Sequence, residues 1–159
     1  MSISQNDQQT FIELSTVLTG FSEFHVRGTG QGQLYLKTLV DIVGDEIVEE
    51  LLTVFRQVKS KAQGDEEMLV HLIRKELLSD EKLGDITRSL IKMWFVGTWY
   101  QLPASWRDQY GAREKDVTFV VSPISYTEGL LWTTIGANPS GAKAPGYGSW
   151  SSPPKIPEI

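Results

Sequence analysis

Cysteine is absent from the 159 residues. The chain can therefore form no disulfide, thiolate metal site, iron–sulfur cluster or cysteine nucleophile. Histidine is scarce, with His25 and His71 the whole supply. Both read as surface or structural groups, and no Gly-x-Ser-x-Gly elbow occurs among the serines. A basic surplus is also missing. The formal net charge is −5, a balance that repels phosphate backbones and argues against a nucleic-acid partner. Long apolar runs are lacking too. The most apolar window, Leu90 to Tyr100, is 11 residues and contains Lys92, whereas a bilayer span needs roughly 20. Met1 to Gln9 is polar, without an apolar stretch or an arginine pair. That predicts a cytoplasmic chain, or a periplasmic one where a leader has been removed or the partner carries it.

Two asymmetries stand out in what is present. Residues 1–89 carry 15 acidic and 9 basic side chains, whereas the remainder is slightly basic. All five tryptophans, and 11 of the 16 aromatic residues, lie beyond residue 93. The front half reads as a solvated helical body, and the back half holds the contact-forming side chains.

Periodicity predicts a mainly α fold: a single helical domain of about five helices over residues 1–137, then an irregular, Pro/Gly-rich extended strap over 138–159. Phe11, Leu14, Val17 and Leu18 share one face of a first helix, Asp7 to Leu18, with Gly20 at its stop. Phe21 to Gly32 reads as a loop, and its Gly28-Thr29-Gly30-Gln31-Gly32 run as a flexible connection lacking phosphate-loop spacing. Gln33 to Val43 forms the second helix. Asp45 caps a third, whose apolar face is Ile47, Leu51, Val54, Phe55 and Val58, and Gly64 ends it. A fourth opens at Asp65-Glu66-Glu67 and runs to Leu77. The fifth, Asp80 to Tyr100, is amphipathic at first and has no polar face from Met93 onward. A helix apolar all round must be covered all round, here by the downstream chain or by another protein. Further on, Val117 to Val121 suggests a short strand and Ser125 to Ile135 a short helix. Residues 138–159 hold five of the seven prolines, which rules out a helix or central strand.

The acidic groups Asp45-Glu46-Glu49-Glu50 and Asp65-Glu66-Glu67 could serve as metal ligands. Both fall at predicted helix starts, where carboxylates are favoured by roughly 0.3–1 kcal/mol each, so they read as solvated helix faces. No catalytic, cofactor-binding or metal-binding residue is expected in this chain. The aromatic set Trp94, Phe95, Trp99, Tyr100 and Trp106 reads as core on one side and partner contact on the other. Two further readings stay open beside a partner-binding subunit. One is a stand-alone helical enzyme using the acidic groups, and the other an unrelated helical interaction adaptor.

Four segments, in order, resemble the small subunit of bacterial flavin-dependent sugar and sugar-alcohol dehydrogenase complexes (sorbitol, fructose and glucose dehydrogenases). Phe11-Ile12-Glu13-Leu14-Ser15-Thr16-Val17-Leu18-Thr19-Gly20 is similar to that family's Phe-x-x-Leu-Ser-x-x-Leu-Thr-Gly opening. Ile91 to Gly97 resembles its aromatic-Gly helix end. Ser125-Tyr126 with Leu130-Leu131-Trp132 resembles its Tyr-x-x-Ala-Leu-aromatic segment, and Ala144 to Pro153 its Pro-Gly-x-Trp-x-x-x-Pro tail. The resemblance implies a helical subunit without its own cofactor. It implies a large FAD-bearing partner of the glucose–methanol–choline oxidoreductase type, a role in that partner's maturation and export, and a cytochrome subunit reached through the complex. The residues expected at the partner contact, from the aromatic helix end, the downstream segments and the Pro-rich strap, are Trp94, Phe95, Trp99, Tyr126, Leu130, Trp132, Pro145, Tyr147, Trp150, Pro153 and Pro154. Without cysteine in the tail, no inter-subunit disulfide is available.

Overall fold

A computed structural model describes residues 3–139. Among the described residues the fold is mainly helical, 69% helix with one two-stranded sheet. Helix α1 (Gln5–Thr19) starts in a capping box: Ser4 Oγ accepts from the Asp7 N–H while the Asp7 carboxylate accepts from the Ser4 N–H. The predicted loop contains a one-and-a-half-turn helix, α2 (Glu23–Gly28), capped by Ser22. Helix α3 (Gly32–Val43) and α4 (Asp45–Ala62) follow. Asp45 is the first helical residue of α4 and not its cap; that position belongs to Gly44.

Helix α1 is the hub, packing on α2, α3, α4 and α6. Its Phe11 and Leu14 meet Tyr35, Leu36 and Leu39 of α3 and Leu51, Phe55 and Val58 of α4 in one continuous core. Val48 and Leu52 are also fully buried on α4, whereas Ile47 and Val54 sit at the margin. Each large apolar side chain moved from water into this core contributes about 1.5–3 kcal/mol.

Helix α5 (Glu66–Ile73) is capped by Asp65 and continues as a π turn, Arg74–Leu78. Helix α6 (Leu83–Val96) is shorter than predicted at both ends. Asp80 is outside it, its carboxylate accepting from the Lys82 and Leu83 N–H groups. At the other end Gly97, with φ 67°, turns the chain back, and Thr98–Trp99 becomes strand β1 instead of a last helical turn. Strand β2 (Phe119–Val120) lies within the predicted strand and pairs antiparallel with β1, Trp99 facing Phe119. Between them lies α7 (Ala104–Tyr110). The helix predicted over 125–135 is two, α8 (Pro123–Thr127) and α9 (Leu130–Ile135), broken at Gly129. The strap assigned to 138–159 falls outside the described residues from 140 onward.

Candidate partner-binding surface

The site residues read from the sequence divide into enclosed and surface sets. Trp94 is 1% exposed and Trp99 0%. Trp94 stacks edge-on against Tyr35, centroids 4.8 Å apart, and tilts over Phe11 at 6.3 Å. Trp99 Nε1 donates to Asp116 Oδ1 at 2.9 Å, and the same carboxylate accepts the Leu102 N–H at 3.1 Å. Leu130 is buried beside them in the same core. All three are core side chains of the folded chain. For Trp99 the physical reason is Gly97: once the helix ends there, Trp99 swings inward with β1. The apolar end of α6 is met by α1, α9 and β1.

This packing depends on close backbone approach. A methyl group at Gly97 would sit 2.4 Å from the Ser125 carbonyl oxygen, and one at Gly129 would sit 2.6 Å from that of Phe95. Around the joint runs a buried polar chain. Ser125 Oγ donates to Gln31 Oε1 at 2.8 Å, and Gln31 Nε2 donates to the Thr29 carbonyl at 3.1 Å. The Tyr35 hydroxyl meets Ser125, and burial pushes it up to about 12, so it stays neutral. The glycine-rich run read as a flexible connection is thus hydrogen-bonded to α8 through Gln31.

Phe95, Tyr126 and Trp132 are half-buried. Trp132 stands edge-on to Tyr126 at 5.6 Å and donates Nε1–H to the Tyr126 carbonyl at 2.9 Å. Phe95 meets Phe21 at 6.1 Å. Trp132 and Leu130 line a cleft of about 290 Å3 with Phe21, Phe24, His25 and Glu128, and Pro139 closes one side of it. Phe24, on α2, is 84% exposed, the most exposed large apolar side chain among the described residues. Its signal in the sequence was an aromatic two residues after the Ser22 cap, in a stretch too short for periodicity to reveal. Pro145, Tyr147, Trp150, Pro153 and Pro154 lie outside the described residues.

The acidic clusters do not converge. Glu49 pairs with Arg56 and Glu50 with Lys82, while Asp65 caps α5. Among the described residues no group of three or more His, Asp or Glu side chains could hold a metal ion, and no helix is long and apolar enough to cross a membrane. His25 Nδ1 lies 2.8 Å from Ser22 Oγ at the surface. Comparison of the chain with protein-family models, with curated proteins and with solved structures returned no match.

Proposed function

We propose that this chain is a non-catalytic small subunit that binds and stabilises a large FAD-dependent dehydrogenase subunit of the glucose–methanol–choline type. The substrate class would be a sugar, sugar alcohol or glycoside, oxidised in the partner, where the flavin resides. A cytochrome subunit would be reached through the complex, and the compartment would be the partner's.

One observation carries the reading. Segments far apart in the chain resemble successive parts of that small-subunit family, and three of them meet at a single joint. Phe11, from the first, packs on Trp94 of the second. Gly97, ending the second, lies against Ser125 of the third, and Gly129 lies against Phe95. The fourth begins a few residues beyond Pro139, which borders the cleft at Trp132. The cleft adds exposed aromatic surface of the kind that anchors protein interfaces.

The test is to express a flavin oxidoreductase of the glucose–methanol–choline type from the same genome with and without this chain. The reading expects soluble, flavin-loaded enzyme only when both are present. Equal yield of active enzyme without the chain would refute it.

A further inference from the structure

Helix α3 and the extended segment leading into β2 leave between them a groove of about 400 Å3. Leu34, Lys37 and Asp41 line it from the helix, spaced i, i+3, i+7 on one outward stripe. Val117 and Phe119 line it from the other wall, alternating as one face of an extended chain. The floor is apolar and open, with Val117 50% exposed.

The rim carries an unequal charge count. Lys37 Nζ and Lys115 Nζ both donate to the same oxygen, Asp41 Oδ2, at 2.9 and 2.7 Å. Two cations thus share one carboxylate. The Lys115 and Lys37 hydrogen bonds hold the Asp41 carboxyl below its ordinary range, so it stays ionised and the triad keeps one positive charge. That surplus stands out in a chain whose net charge is −5. A carboxylate placed there would complete the pairing, and an apolar side chain beside it would cover Leu34 and Val117.

We infer that this groove seats an extended segment of the large subunit that presents an apolar side chain next to an Asp or Glu. The inference rests on the function proposed above and adds to the Trp132 cleft a second surface that function uses. The enclosed tryptophans cannot serve, whereas this groove is open in the folded chain and complementary in charge to a definite kind of peptide.

The experiment is co-purification of the flavin subunit on the tagged full-length chain, comparing wild type with Val117→Glu, Lys115→Glu and a Met68→Glu/Val70→Glu control on α5. Val117 and Lys115 are exposed, so circular dichroism of each variant should match wild type. The inference expects Val117→Glu to weaken capture about thirtyfold or more, the loss of a central anchor. Lys115→Glu should weaken it about tenfold, and more at low ionic strength. The α5 control should capture normally. Normal capture by both groove variants would overturn this inference and leave the proposed function standing. Failure of wild type to capture the flavin subunit would sink the proposed function and the groove with it. If the wild-type chain alone dimerises and Val117→Glu makes it monomeric, the groove seats a second copy and the inference is wrong.

Discussion

Gly97→Ala isolates the joint on which the whole back half rests. Residue 97 has φ 67°, and a Cβ there would lie 2.4 Å from the Ser125 carbonyl oxygen, 2.5 Å from its carbon and 2.8 Å from the Tyr126 nitrogen. All three are backbone atoms, so no flexible side chain can swing away. Holding alanine in the left-handed region costs about 1–2 kcal/mol. Forcing α8 off α6 adds about 1–3 kcal/mol of lost packing. The total is about 2–5 kcal/mol. For a chain of this length each kcal/mol moves Tm by about 2–4 °C, which places the expected fall at roughly 5–20 °C. Gly111→Ala supplies the control. Gly111 has φ 73° but nothing within 4 Å of its absent Cβ, so only the backbone cost of about 1–2 kcal/mol applies. Thermal melts followed by far-ultraviolet circular dichroism read both. The variants should differ by the steric part, and Gly97→Ala should also perturb the near-ultraviolet signal of Trp99. Equal losses in the two variants would refute the close packing of α8 on α6.

Asp116→Ala should destabilise the chain by about 2–4 kcal/mol, because it strands the buried Trp99 indole and Leu102 N–H donors; urea titration reads the loss. The Asp7 carboxyl titrates below its ordinary value, held chiefly by the Ser4 side-chain hydrogen bond and also by Arg56. The unfolded chain therefore binds the proton more readily. The contribution of Asp7 is complete above about pH 4 and fades as pH falls through the folded pKa. Asp7→Asn should flatten that acid limb of a stability–pH curve. Replacing His25, His71 or Glu49 with Ala should leave activity of the assembled complex within about threefold, near 0.6 kcal/mol, as steady-state assays would show. A loss of several orders of magnitude at any one, with assembly intact, would favour a catalytic chain.

Much of the front half was legible because its helices announce their own ends. Gly20 and Gly44 stop α1 and α3 where expected, and the core faces of both follow the 3.6 period. Helix α2 was missed because six residues hold too few apolar positions to show a period, leaving only Ser22 as a cap signal. Helix α6 was overextended for a different reason. Trp99 continues the stripe of Ile91 and Phe95, and periodicity alone does not reveal that Gly97 adopts a left-handed turn. That single turn carries Trp99 into the core, while Phe95 stays half-buried and Tyr100 exposed. The need of the apolar α6 end for cover was readable, but not the identity of the cover, which comes from α1 and from elements 30 residues downstream such as α9. The groove was hidden for the same reason. Its walls, around residues 34–41 and 115–121, are joined only by the fold, and neither wall is unusual alone.

The most direct measurement of the central claim is the flavin content of the tagged chain purified after co-expression with a glucose–methanol–choline-type flavin oxidoreductase from the same genome. The account predicts a yellow complex in which FAD and this chain are present in comparable molar amounts, with flavin retained through gel filtration. A colourless chain that elutes alone, while the flavin enzyme folds and works without it, would contradict the account.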